Sequence, residues 1–148
     1  MAAGGGAGSL DSTEVPGDPG TASIEESAVA VRAIRGATQV AADDRDEVLG
    51  ATRELVSAVL ERNQVDPADL ISILFTATPD LVSEFPALAA RELGLGDVPL
   101  MCATEIAVPH ALPRVLRLMA HVDTPLPRAD VQHVYLRGAV ALRRDIAQ

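Results

Sequence analysis

Hydrophobic positions along the chain change period several times, and each change marks an element. AVAVRAIRGATQV, residues 28–40, has the β-branched and small-residue run of a buried strand, interrupted by Arg32 and Arg35. DDRDEVLGATRELVSAVLERN then switches to helical spacing, with Val48, Thr52, Leu55, Val56 and Val59 on one face and Leu49 and Leu60 widening it. Asp44 followed by Glu47 predicts a capping box with acid in the first turn. Asp66-Pro67 predicts a short helical turn, and LISILFTAT (Leu70–Thr78) a second strand that stops at Pro79-Asp80. FPALAARELG predicts a short helix with Pro86 near its start and Gly94 ending it. VPLMCATEI, PRVLRLMAHVD and VQHVYLRGAVAL predict three further strands, the last with a bulge or kink at Gly138. The order β-α-β-α-β-β-β predicts an α+β domain over residues 28–144: a mixed five-stranded sheet, one long helix and short helices.

Residues 1–27 break this pattern. They are Gly, Ala, Ser, Asp, Glu and Pro, with too little apolar surface to offset ordering entropy, and are expected to be a disordered tail. Residues 145–148 form a short C-terminal tail.

Composition narrows the function classes. The chain has 148 residues, no Trp, one Tyr and two Phe, so its core is built from Ala, Val, Leu and Ile, and a domain of this size gains stability by burying a face against copies of itself. Net charge is −9, with five acids and no base before Ala28. An acidic chain with so few aromatics lacks the basic stripe and the stacking platform of a nucleic-acid binder. No apolar run reaches the ~18 residues of a membrane span, and the start has no basic, apolar signal pattern; a cytoplasmic protein is expected. The single cysteine, Cys102, excludes an internal disulfide and a cysteine-cluster metal site.

The informative oddity is charge inside apolar strands. Arg117 sits within Val115-Leu116-Arg117-Leu118-Met119, and Arg35 follows Ala33-Ile34. A guanidinium there needs an anionic partner, because an unpaired buried charge is costly. Two partners fit: a protein carboxylate such as Glu105, the simpler reading from sequence alone, or an anionic ligand. A pair of inward arginines on separate strands strengthens the ligand reading, because Arg holds carboxylates bidentately. His110, His121 and His133 show neither metal-ligand spacing nor a paired nucleophile and read as surface or supporting residues. No phosphate-binding glycine loop or nucleophile elbow is present. Arginines, one carboxylate, one thiol and one phenol without a proton-transfer pair suit chemistry that needs no general base.

The blocks IRGAT (Ile34–Thr38), TATPDL (Thr76–Leu81), FPALAARELG, VPLMCATEI and HVYLRGAVALR (His133–Arg143), in this order and spacing, resemble the AroH-class chorismate mutases over residues 29–144. The resemblance implies a homotrimer of pseudo-α/β-barrel architecture with active sites between subunits, acting on chorismate without a cofactor or metal. It implies catalytic roles for Arg117, Arg35 and Glu105. Cys102, Tyr135, Leu142 and Arg143 would bind substrate from the same subunit, with Leu100 and Met101 beside Cys102, and Phe85, Ala87 and Arg91 would come from the neighbour. Cys102 and Glu105 are three apart, so an ideal strand points them to opposite faces, and the strand must end or bulge near Thr104 for both to meet one ligand. Leu88 stands where the family often has Lys. The alternative function is a non-catalytic trimeric binder of small carboxylates; an imine hydrolase using Glu105 as base is a third.

Overall fold

The structure, a computed structural model, describes residues 2, 4, 5 and 28–143. The tails read over 1–27 and 145–148 otherwise lie outside the described residues.

Five strands form one mixed sheet in the order β3-β2-β4-β1-β5. They are β1 (Ala30–Gln39), β2 (Leu70–Ala77), β3 (Leu100–Thr104), β4 (Val115–Thr124) and β5 (Val134–Tyr135). The two long strands β1 and β4 pair antiparallel at the centre, β2 joins β4 antiparallel, and β3 and β5 add in parallel at the edges. The predicted order, mixed sheet and single long helix are therefore present.

Helix α1 (Arg45–Arg62) buries the predicted Val48, Leu49, Thr52, Leu55, Val56 and Val59, together with Ala51, against one side of the sheet, while Leu60 is only half-buried. Asp44 caps it by accepting from the Glu47 N–H at 3.0 Å, but the Glu47 carboxylate reaches back to the N–H of Ala41, not to Asp44 itself. Helix α2 (Pro86–Glu92) packs beside it through Ala87, Ala89 and Ala90, and Gly94, at φ +88, stops it in the left-handed conformation.

The helix approaches the sheet most closely at Gly36. A Cβ there would lie 3.1 Å from Leu55 and 3.2 Å from Leu118 and Val59, all buried and with no room to retreat. Gly36→Val is expected to cost about 1–3 kcal/mol through overpacking, seen as a lower urea midpoint with an unchanged slope. An unshifted midpoint would mean the helix can lift away freely.

The long fifth strand expected over 131–142 is corrected. After Tyr135 the Leu136 N–H bonds Ala37 O at 2.9 Å, Arg137 takes φ 52, and Arg137–Arg143 continues as 3-10 helix. Gly138 is no strand bulge: it lies in that helix against Gln39, where a Cβ would collide with the Gln39 amide.

The second side of the sheet is largely bare. Register places Val31, Ala33 and Arg35 of β1, Leu74 and Thr76 of β2, Met101 of β3, and Arg117, Met119 and His121 of β4 on it. Val31, Leu74, Met101 and Met119 are exposed there.

Candidate active site

Arg117 stands in the middle of this bare face, flanked by Ala37 of β1 and Thr76 of β2. Tyr135 of β5 lies beside Ala37, one strand further on. Arg35, two residues back along β1, sits opposite Met119. Glu105 follows the last residue of β3, its N–H bonded to Ala77 O at 2.9 Å. Its carboxylate accepts from Arg117 Nε at 2.8 Å and from the Thr76 hydroxyl at 3.1 Å. Arg35, Thr76, Glu105, Arg117 and Tyr135, with Leu74 and Met119, line one cleft of about 240 Å³.

Both partners foreseen for the inward arginine are thus compatible with the geometry. Glu105 takes the Nε–H of Arg117 and orients the guanidinium plane, leaving the terminal amino groups for a second anion. Arg35 makes no ion pair within 4.0 Å among the described residues. Burial is corrected: the Arg117 side chain is 45% exposed in the single chain, because the face it stands on has no layer over it.

Cys102 is also corrected. It pairs beside buried Phe75 and packs against the core on the helix side of the sheet, whereas Glu105 lies on the bare side. β3 does end at Thr104, as required, yet the pairing continues through the Glu105 N–H, so strand parity holds and separates the two residues. One chain does not present both to one ligand.

Cys102 instead lines a second cleft of about 330 Å³ with Thr104, Leu81, Val82 and Phe85. Phe85, just before α2, is 69% exposed. The loop carrying it is tied to the start of α1: Asp43 accepts from the N–H groups of Val82 and Ser83, at 3.1 and 3.0 Å from Oδ1. Glu84 accepts from the Phe85 N–H at 2.9 Å and from Arg45 Nε at 3.0 Å. Those contacts, the Phe85 N–H first, hold the Glu84 carboxyl below its ordinary value. Their support is complete above that value and lost as pH falls through the lowered one.

The other expected residues scatter. Ala87 is buried in the chain's own core at 4% exposure and lines neither cleft. Leu100 shares the face of Cys102 and packs into the core, while Met101 is on the arginine side, 65% exposed. Arg91 is exposed on the last turn of α2. Leu142 is half-buried in the final 3-10 helix and lines neither cleft. Arg143 closes that helix, and its side chain lies outside the described residues. Thr76 and Leu74 were missed; alternation along LISILFTAT puts them on one face, but only the β2–β4 register brings that face to Arg117. No group of three or more His, Cys, Asp or Glu side chains suited to a metal converges among the described residues. No helix among them is long and apolar enough to cross a membrane.

Comparison with known proteins is specific. The family model for chorismate mutase type I matches residues 31–146. The chorismate mutase AroH of Thermus thermophilus is 48% identical over 117 residues, covering 78% of this chain and 96% of its own. The chorismate mutase AroH of Bacillus subtilis (strain 168) is 42% identical over 118 residues, covering 79% and 93%. A solved chorismate mutase from Clostridium thermocellum is similar at a TM-score of 0.73 and 44% identity, covering 74% of this chain and 98% of that one.

Proposed function

The chain belongs to the type I chorismate mutase family, and we propose that it converts chorismate to prephenate at sites shared between subunits of a homotrimer. The carrying observation is the cleft in which Arg35, Arg117, Tyr135 and Glu105 converge on an uncovered sheet face. Chorismate carries two carboxylates and an ether oxygen, and its rearrangement is an intramolecular Claisen reaction. One C–O bond breaks as one C–C bond forms, with no proton transferred and no covalent intermediate. Catalysis therefore reduces to two tasks: holding the side chain in its folded, chair-like conformer, and stabilising charge that develops on the ether oxygen.

Arg117 suits the second task. Its Nε–H is spoken for by Glu105, so the guanidinium plane is oriented in advance and the terminal amino groups are left for a ligand in the cleft that Arg117 lines. Arg35 and the Tyr135 hydroxyl hold carboxylate oxygens, and Glu105 accepts from the ring hydroxyl. Leu74 and Met119 supply apolar wall. The role of Glu105 is orientation, so a pH–rate profile flat between about pH 6 and 8 follows from the absence of a general base.

The separation of Cys102 from Glu105 supports the inter-subunit site. Cys102 and Phe85 form their own cleft at the β3 edge, and in this reading that edge of one subunit covers the arginine cleft of the next. Exposed Val31, Leu74, Met101 and Met119 then gain a partner, which supports assembly by burial of apolar area. Arg91 lies on the helix that follows Phe85, and the terminal segment with Leu142 and Arg143 closes the entrance. The product feeds phenylalanine and tyrosine synthesis.

The deciding experiment is the loss of chorismate absorbance on adding purified protein, with prephenate as sole product. Saturable chorismate binding without any rate above the uncatalysed one would instead establish a carboxylate binder.

A further inference from the structure

Arg35 is held from behind by a histidine. Its backbone N–H donates to Nδ1 of His133 at 3.0 Å. A peptide N–H can only donate, so Nδ1 carries the lone pair and the ring is neutral with its proton on Nε2. The bond extends an abbreviated ladder. β5 pairs with β1 only at Gly36–Val134 and Ala37–Tyr135, one position short of Arg35, and the imidazole supplies the acceptor there.

His133 is itself anchored. The preceding residue, Gln132, exchanges two hydrogen bonds with the Asn63 side chain, at 2.7 Å from its N–H and 2.9 Å to its carbonyl. Asn63 is 1% exposed, ends α1, and also donates to Val59 O at 2.9 Å. A rigid path therefore runs from the end of α1 through Gln132 to His133 and on to the backbone of Arg35.

We infer that His133 is a positioning residue: its neutral Nδ1 fixes the β1 backbone at the point where the Arg35 guanidinium leaves for the reaction cleft. The inference rests on the reading that Arg35 binds a substrate carboxylate. Protonating Nδ1 would delete the acceptor and set a donor against a donor. Among the described residues, the cleft on this side of His133 is also lined by Arg32 and Arg35 of β1, His121 of β4 and Arg128 of the turn before β5, so an added proton there is set beside three guanidiniums. Acid would thereby loosen Arg35 although no proton moves in the reaction.

Two variants separate the acceptor from mere bulk. Asn carries its amide oxygen on Cγ, the position of Nδ1, and takes no proton; Leu has a methyl there. His133→Asn should keep kcat/KM for chorismate within about twofold of the unsubstituted enzyme, and His133→Leu should lose about tenfold, most of it in KM. Below about pH 6 the unsubstituted enzyme should lose rate along a limb that His133→Asn lacks. Melting temperatures recorded alongside identify a variant that only fails to fold. His133→Leu at full kcat/KM, equal losses in both variants, or an acid limb that survives in His133→Asn would overturn the inference. An unsubstituted chain inert toward chorismate would overturn the functional reading instead.

Discussion

Arg117→Ala is expected to fold normally and to lose about 3–4 kcal/mol of transition-state stabilisation, roughly 10²–10³-fold in kcat, as for removal of an oxyanion donor. The side chain is 45% exposed and belongs to no apolar cluster, so its removal opens no core cavity. It leaves Glu105 with its bond from Thr76. Its loss would be felt in kcat more than in KM, because charge on the ether oxygen appears only as the C–O bond stretches. Arg117→Lys should recover little. An ammonium keeps the charge but not the planar fork that serves Glu105 with one edge and the ligand with the other. Turnover within a few-fold of normal for Arg117→Ala, in a protein of unchanged circular dichroism, would sink this mechanism.

Much of this scaffold is legible before any coordinates. α1 is readable because Val48, Thr52, Leu55, Val56 and Val59 repeat at the helical period and Asp44 marks the start. Arg117 is readable as an anomaly because strand alternation makes one charge among Val115, Leu116, Leu118 and Met119 conspicuous. Its environment is not, since alternation assigns a side to each residue without saying what lies over that side. β5 is over-extended in the sequence reading because GAVAL has the small, apolar look of a strand, whereas the positive φ of Arg137 leaves no mark in the pattern. Parity is the instructive case. A spacing of three predicts opposite faces for Cys102 and Glu105, the family resemblance puts both around one ligand from one subunit, and the structure keeps them apart. Both can hold only if the two come from different copies of the chain.

That requirement leads to the second large effect. Phe85 is 69% exposed in the single chain, so Phe85→Asp should leave the fold intact. In the proposed shared site it would bring a carboxylate toward a dianionic substrate; at a separation of about 6 Å and an effective dielectric near 20, the repulsion is about 3 kcal/mol, roughly 10²-fold in kcat/KM. Phe85→Asp and Arg117→Ala would then each be nearly inactive, for faults on opposite sides of the same interface. Unfolding the two together and refolding them in equal amounts would distribute the faults at random around the proposed cyclic trimer. A site is sound when its arginine cleft comes from a Phe85→Asp chain and its covering edge from an Arg117→Ala chain, which statistical assembly gives in about one quarter of sites. Activity should rise to about one quarter of that of unsubstituted protein carried through the same refolding. If each chain instead held a complete site, every site in the mixture would carry one fault or the other. The mixture would then stay as inactive as its components, and the inter-subunit site would have to be abandoned.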